Sequence, residues 1–488
     1  MLSIKEKVAI VFYSKLFSVG LGIVLLPYLS RSLSVEDYGT YGQVILIVET
    51  IKSILTLGFS QILYRFFNDS ITNNKIIFSN AIFVIFIVGF IGCISLLLSS
   101  YQISQLFNNP NLVIFINLIS LSVLFDLLVM VSTTTLMYFD EVKKIAVLSV
   151  FFNLLKISLM FVSINIISNL QLLYLGITLT SVLHFVVIFS QKKELFQFRL
   201  INLSTMLNLL KTGIPLGLIS ATGYALIITD GFIVSKYLSV SDYAYYRNGA
   251  IQIPLIPTFF GAVTMVLLPN ITKLLQKNLV SDVIDIKRKI STQVAALTFP
   301  LIILTITLSQ EIIVWYLSEK YIKSAMIFAT INIALFFSIN DYEDILTFKN
   351  KTYTLLRVYV LGFIINLLLC ILLTKHIGLI GAAISTLVSC LVILFVLNLI
   401  TTKMMNITFF SFFDLRKLFL IAIVGAIIPF SKWISGIYLN NNLVLFLTLV
   451  SCIIVYILII KMNLIDKKII HYFVSKLSFL KSKTGERI

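Results

Sequence analysis

The sequence predicts an all-α integral membrane protein with about fourteen transmembrane helices, arranged as two parallel six-helix repeats followed by two further helices. Three observations predict this class. Hydrophobic residues make up 59% of the 488 residues and charged residues only 12%, whereas a water-soluble domain has about a quarter of its residues charged. Continuous apolar runs of about 20 residues recur along the chain, which is the length that a helix needs to span a bilayer. A short motif also occurs twice.

The repeated motif is LSVEDYGTY at Leu33–Tyr41 and LSVSDYAYY at Leu238–Tyr246, with six of the nine positions identical. The same offset along the chain places Gly176 on Gly381, and each of these glycines lies in an apolar run. Two matches at one offset, both beside long apolar segments, indicate that the chain contains duplicated halves.

The apolar runs place the spans. We expect an N-terminal six-helix lobe at 1–195, a C-terminal six-helix lobe at 196–404, two additional transmembrane helices at 405–463 and a basic cytoplasmic tail at 464–488. The expected spans lie at about 8–29, 39–63, 76–99, 111–136, 144–166 and 171–190 in the first lobe, about 212–235, 249–271, 291–309, 325–347, 354–374 and 378–400 in the second, and about 417–437 and 443–461 beyond them.

The basic residues test this topology. With the N-terminus inside, lysines and arginines in predicted cytoplasmic segments outnumber those in predicted outer segments by roughly four to one, as the positive-inside rule requires. Both termini are therefore expected in the cytoplasm. Six spans per half is an even number, so the repeats are parallel. The bias also accounts for most of the net charge of +17 without a nucleic-acid partner.

Enzyme signatures are absent from the sequence. It has no glycine-rich phosphate loop, no H-E-x-x-H and no nucleophile elbow. The three histidines fall in different segments and the four cysteines sit inside apolar runs without C-x-x-C spacing, so neither a metal site nor a cofactor is expected. The sequence indicates a secondary transporter rather than an enzyme.

Ionisable residues inside the predicted spans are the candidates for function, because burying a charge in hydrocarbon is costly unless it faces a partner or a water-filled cavity. A cavity with cations for an anionic substrate and carboxylates for ion coupling is one interpretation. The other is that Glu49 and Lys52, three residues apart on one helix face, neutralise each other. The candidates are Lys15, Glu49, Lys52, Asp126 and Lys156 in the first half and Asp230 and Arg357 in the second.

Two further features refine this picture. Lys15 and Lys156 have no opposite charge nearby in their own helices, which favours a cavity position, whereas the role of Asp230 stays open between the two interpretations.

The segment GIPLG at 213–217 presents two glycines, Gly213 and Gly217, one helical turn apart. This pattern allows another backbone to approach closely.

Several longer motifs resemble the polysaccharide transporter (Wzx-type flippase) family of the multidrug/oligosaccharidyl-lipid/polysaccharide exporter superfamily. The resemblance extends over essentially the whole chain. The motifs are RSLSVEDYGTYG at 31–42, TLGFSQILYRFF at 56–67, GIPL at 213–216, ITDGFIV at 228–234, INLLL at 365–369 and HIGLIGAAIST at 376–386.

This resemblance implies a V-shaped, two-lobed transporter in the bacterial cytoplasmic membrane. It implies that an undecaprenyl-pyrophosphate-linked oligosaccharide, such as an O-antigen repeat unit, is moved to the outer leaflet by alternating access and H⁺ or Na⁺ antiport. Membrane lipids and the polysaccharide polymerase or assembly machinery are the implied partners. The substrate-binding candidates are Lys15, Arg31, Lys52, Lys156 and Arg357, and the ion-coupling candidates are Glu49, Asp126 and Asp230. A lipid II-type flippase, a multidrug cation antiporter and, from a different class, a membrane glycan polymerase are the alternatives.

Overall fold

The computed structural model describes residues 4–167, 169–253, 256, 271–277, 279–340, 342–349 and 351–465. These residues form helices joined by short connections, and the described part of the chain contains no β-strand. The predicted all-α membrane fold is thus confirmed. The chain packs as two compact units, residues 1–247 with 316–320 and residues 248–315 with 321–488.

The first unit is built mainly from long helices that are apolar on every side, as expected for segments surrounded by lipid and by other helices. Its helices are α1 (Ile4–Ser32), α2 (Val35–Leu55), α3 (Phe59–Phe66), α4 (Ile71–Leu106), α5 (Leu112–Tyr138), α6 (Val142–Phe161, continued by a π-helical turn at Val162–Ile166), α7 (Leu170–Ser190), α8 (Leu203–Tyr237) and most of α9 (Val240–Gly249).

The second unit surrounds α10 (Val280–Thr307), whose buried residues pack against the last helices of the described chain. Its other helices are α11 (Ser309–Tyr316, which ends in the first unit), α12 (Ser324–Ile333), α13 (Glu343–Phe348), α14 (Thr352–Ile377), α15 (Leu379–Met404), α16 (Leu415–Gly425), α17 (Ile427–Tyr438) and α18 (Asn441–Lys461).

Eleven helical stretches among the described residues are long and apolar enough to cross a membrane, and Leu16–Ser32 and Ser324–Phe336 are shorter apolar helices. The predicted span at 249–271 lies mostly outside the described residues. The span predicted at 325–347 is shorter in the structure, because α12 tightens into a 3₁₀ turn at Ala334–Phe336 and the polar sequence that follows does not continue the helix. The count of fourteen is therefore not confirmed.

The predicted boundary between the lobes at 195/196 stays a prediction, since packing and duplication divide a chain by different criteria. The basic tail predicted at 464–488 lies outside the described residues almost entirely.

A break between α2 and α3 is held by the glycines of α8. Leu57 and Gly58 both have positive φ, 46° and 65°, so the chain leaves α2 and re-enters a helix within three residues. A Cβ on Gly213 would lie 2.5 Å from the Leu57 carbonyl oxygen, and one on Gly217 would lie 2.7 Å from the Leu57 Cα. The close packing predicted for the Gly213–Gly217 face is confirmed, with the break of α2 as its partner.

The two copies of the repeated motif begin α2 and α9 in the same way. The Ser34 hydroxyl donates to Asp37 Oδ2 at 2.7 Å and accepts from the Asp37 N–H at 3.0 Å. The Ser239 hydroxyl donates to Asp242 Oδ2 at 2.7 Å and accepts from the Asp242 N–H at 3.1 Å. Both copies therefore form an N-terminal helix cap of the same design, which supports the duplication.

Candidate functional site

Three of the predicted charged residues meet inside the first unit. Lys52 on α2 places its Nζ 2.5 Å from Glu49 Oε1, one turn earlier on the same helix. The same Nζ lies 3.0 Å from Asp126 Oδ2 on α5 and donates a hydrogen bond to it. The three side chains and Tyr224 of α8 line a cavity of about 400 Å³. We call Glu49, Lys52 and Asp126 the carboxylate–lysine cluster.

Burial and charge define what this cluster can do. The Lys52 side chain is 18% exposed, whereas Glu49 and Asp126 are 46% and 33% exposed toward the cavity. A desolvated ammonium inside a membrane helix is tolerated because two carboxylates compensate it. Two carboxylates and one ammonium leave a formal charge of −1. The Glu49–Lys52 pair thus exists, but it is part of a larger group that faces a cavity.

The remaining predicted cations lie elsewhere. The Arg31 guanidinium donates from Nε to the Leu317 carbonyl oxygen at 3.0 Å, so it secures the 316–320 segment to the end of α1. Lys156 is half-buried in the middle of α6 and makes no ion pair with any residue that the structure describes. Arg357 is exposed near the start of α14 in the second unit. The side chain of Lys15 is outside the described part of the chain.

Asp230 occupies a different place from the other two acidic candidates. It lies on α8 with only 3% of its surface exposed, and its Oδ2 accepts a hydrogen bond from the Tyr246 hydroxyl at 2.9 Å. Tyr246 is the last residue of the second motif copy. Asp230 therefore links α8 to the motif in α9.

Arg247, which follows the second motif copy, is a half-buried cation in the segment between the spans predicted at 212–235 and 249–271. Its guanidinium carbon lies 5.6 Å from the ring centroid of Tyr38 and 5.2 Å from that of Tyr41, distances at which a cation is attracted to an aromatic face. Its Nη1 is fully buried and has no hydrogen-bond partner among the described residues. Two tyrosines of the first motif copy thus hold an arginine that follows the second.

Gly42 makes room for this arginine. A Cβ at Gly42 would lie 2.8 Å from Arg247 Nη1 and 2.8 Å from Tyr243 Cε1. The Tyr243 ring completes the wall. Burial raises the pKa of its hydroxyl to about 12, although Arg247 opposes this shift. The signal for this contact was in the sequence, because the motif offset aligns Gly42 with Arg247.

The chemistry available in the first unit is binding and charge exchange. The carboxylates of the carboxylate–lysine cluster can accept a proton or a monovalent cation, and Lys52 can pair with an anion. Among the described residues, no group of three or more His, Cys, Asp or Glu side chains is arranged to hold a metal ion. Apolar helices of membrane-spanning length around a charged cavity are typical of a multi-pass membrane transporter.

The sequence comparison supplies the family. The sequence model of the family described as "Polysaccharide biosynthesis protein" matches residues 28–326. This match covers more than half of the chain, and the chain belongs to that family. No curated protein matches it.

Solved structures share the fold at low sequence identity. "Lipid II flippase MurJ, inward closed conformation" superimposes with a TM-score of 0.73 at 17% identity, over 92% of this chain and 97% of that one. An inward-facing "multidrug resistance MATE family transporter of the MOP superfamily" superimposes with a TM-score of 0.63 at 12% identity, over 80% of this chain and 94% of that one. A MOP superfamily transporter from Pyrococcus furiosus superimposes with a TM-score of 0.51 at 13% identity, over 82% of this chain and 97% of that one. The resemblance inferred from the motifs is confirmed for the family, and the solved structures show that the fold is shared.

Proposed function

We propose that the protein is a flippase that moves a polyprenyl-pyrophosphate-linked oligosaccharide from the cytoplasmic to the outer leaflet of the cytoplasmic membrane. The observation that carries this proposal is the match of residues 28–326 to a polysaccharide biosynthesis family in a chain whose fold is that of a membrane transporter. The similarity to a lipid II flippase supports a cargo made of a polar headgroup on a polyprenyl chain. Both termini in the cytoplasm and cooperation with the polysaccharide polymerase belong to the same proposal.

The carboxylate–lysine cluster supplies a coupling mechanism. With both carboxylates ionised, Lys52 is held by Glu49 and Asp126 and the cavity repels an anion. A proton or Na⁺ on one carboxylate removes one ion pair and raises the net charge of the cluster from −1 to 0. Lys52 can then pair with the pyrophosphate. Ion binding thus sets the charge that the cargo meets, which links the two binding events.

Deletion of the gene in the host, with complementation, tests the proposal. Loss of the surface polysaccharide, with the lipid-linked oligosaccharide retained in the inner leaflet, is the expected result. Complementation by Lys52→Ala should fail, whereas Lys143→Gln, which removes an exposed lysine at the start of α6, should restore the polymer. Intact polysaccharide in the deletion strain would contradict the proposal.

Two alternatives have an observation in their favour. The fold similarity to a lipid II flippase favours peptidoglycan precursor as cargo, and this case predicts loss of cell-wall synthesis instead of loss of a surface polymer. The excess of one carboxylate in the cluster favours a multidrug cation antiporter, because cationic cargo is attracted to a negative cavity. This second case predicts raised sensitivity to cationic drugs with the polysaccharide intact.

A further inference from the structure

A second cavity lies at one end of the helices of the second unit. Its volume is about 370 Å³. The start of α10, the start of α16 and the residues after α18 form its wall, and the charge distribution of the sequence assigns all three to the cytoplasmic side. We call it the charged pocket, lined by Asp285, Arg288, Lys289, Thr292, Gln293, Asp414, Lys417 and Asn463.

The cations of the charged pocket are held in place by the backbone and by neighbouring carboxylates. Arg288 donates from Nε and Nη2 to the Ser411 carbonyl oxygen at 3.1 and 2.9 Å, which fixes the plane of its guanidinium. The Lys417 ammonium lies 3.2 Å from Asp414 Oδ2. Asp414 also caps α16, since its Oδ1 accepts from the Lys417 N–H at 3.2 Å. The cations are therefore oriented before any ligand arrives.

The electrostatics agree with this arrangement. Burial raises the pKa of the Asp414 carboxyl, but its hydrogen bonds with Lys417 and the charges of Lys417 and Arg288 outweigh burial and hold the pKa below its ordinary value. Asp414 is thus ionised at neutral pH. Three cations (Arg288, Lys289 and Lys417) and two carboxylates (Asp285 and Asp414) leave a formal charge of +1 in the charged pocket.

A larger apolar cavity of about 770 Å³ in the same unit takes part of its wall from the same two helices. Phe299, on its wall, is seven residues after Thr292 and lies on the same face of α10. Leu418, also on its wall, is one turn after Asp414, the residue that caps α16. Both cavities therefore have residues of α10 and α16 in their walls. The apolar cavity is lined mainly by aromatic and aliphatic side chains, including Phe336, Phe395 and Phe410.

We infer that these two cavities bind one anionic phospholipid of the inner leaflet, with its phosphate in the charged pocket and an acyl chain in the apolar cavity. Basic pockets between transmembrane helices on the cytoplasmic side are suited to anionic lipid headgroups. Oriented guanidinium and ammonium donors match phosphate oxygens. The apolar cavity on the same two helices is the reason that we assign a lipid rather than a free ion to the site.

The net charge selects the headgroup. A phosphodiester such as phosphatidylglycerol carries one negative charge and neutralises the +1 pocket. A pyrophosphate brings further negative charge, which Asp285 and Asp414 oppose. The site is thus a place for a resident lipid and differs from the carboxylate–lysine cluster in position and in charge.

Native mass spectrometry of the purified full-length chain tests this inference. The probes are phosphatidylglycerol, the same headgroup on short chains, phosphatidylcholine, a polyprenyl pyrophosphate and inorganic phosphate. We expect long-chain phosphatidylglycerol to be retained best. Lys417→Gln should weaken its binding about five-fold, the effect expected for one cation near a lipid phosphate, and Lys417→Arg should restore it. Lys143→Gln, which removes an exposed lysine of the first unit, should leave binding unchanged.

A variant of the apolar cavity keeps the test independent of the folding of the Lys417 variant. Val392→Phe places a ring in the apolar cavity and should weaken long-chain phosphatidylglycerol while leaving the short-chain form unaffected. Equal retention of phosphatidylcholine, or unchanged binding by Lys417→Gln, would overturn the inference. Tight binding of inorganic phosphate alone would reduce the site to an anion site, and preference for the polyprenyl pyrophosphate would assign it to the cargo. Either outcome also overturns the inference.

Discussion

The contact between the two motif copies gives the sharpest stability prediction. Gly39→Ala adds one Cβ on α2, which would lie 2.3 Å from the carbonyl oxygen of Val240 and 3.0 Å from its carbonyl carbon. Ordinary contacts of a Cβ begin near 3.4 Å, so α9 must move by about 1 Å. Overpacking of this kind costs about 1–3 kcal/mol, because the obstructing atom belongs to the backbone and has no rotamer to change.

Helix propensity acts in the opposite direction and needs its own control. Replacing glycine by alanine inside a helix raises the stability of the helix by about 1 kcal/mol. At Gly223 on α8, a Cβ would have no heavy atom within 4 Å, so Gly223→Ala carries the propensity gain without a clash. The difference between the two variants isolates the cost of the motif contact, about 1–3 kcal/mol.

The assay is the Tm of the purified full-length chain in one detergent. We expect Gly223→Ala to melt at or above the wild-type Tm and Gly39→Ala to melt below it. Val240→Ala should not restore the wild-type Tm to Gly39→Ala. The nearest atom to the new Cβ is the main-chain oxygen at 2.3 Å, and Val240 Cγ1 lies farther away, at 3.0 Å. Equal Tm values for Gly39→Ala and Gly223→Ala would refute the packing argument, and rescue by Val240→Ala would show that a side chain causes the clash.

Three further predictions concern charges. Lys52→Met should lower stability by about 1–2 kcal/mol and abolish complementation, because it leaves two partly exposed carboxylates without their cation; a functional Lys52→Met chain would exclude Lys52 from cargo binding. Arg247→Met removes a cation from two tyrosine rings, which should cost about 1–2 kcal/mol of stability and lower the Tm. An unchanged Tm would contradict a stabilising contact between Arg247 and these rings. Burial raises the pKa of Glu141, but hydrogen bonds from Lys144 and Lys192 outweigh it and lower the pKa. Ionised Glu141 therefore stabilises the fold at neutral pH, and this contribution is lost as the pH falls through its pKa. Between about pH 7 and 4 the wild-type Tm should fall further than that of Glu141→Gln, and parallel curves would contradict this.

The class, the positions of most helices and the duplication could be predicted from the sequence, because they depend on local properties. Apolar length determines whether a helix can span a bilayer, and a motif with its own capping residues carries its conformation with it. The span predicted at 325–347 is too long because a hydropathy window averages over the polar residues around Asn340. Hydropathy also gives no sign that α2 breaks at Leu57, which depends on the glycines of a distant helix.

The charged residues are harder to place, for a physical reason. The pairing of Glu49 with Lys52 follows from their spacing on one helix, but Asp126 lies on another helix and its approach depends on tertiary packing. The predicted spans leave Arg247 in a connecting segment, where a cation is expected to be solvated. Its partial burial depends on two tyrosines and on Gly42, which lie in and after the other motif copy.

The contact between Gly42 and Arg247 explains why the two motif copies differ after their last tyrosine. Gly42 and Arg247 occupy equivalent positions after the two motif copies, and the structure places them against each other, with Arg247 Nη1 2.8 Å from where a Cβ of Gly42 would be. At a point where equivalent residues meet, two identical arginines would have to share one space and repel each other. One large residue and one small residue fill that space. The difference between YG at Tyr41–Gly42 and YR at Tyr246–Arg247 therefore fits the contact, because two arginines could not share the space that one arginine and one glycine fill.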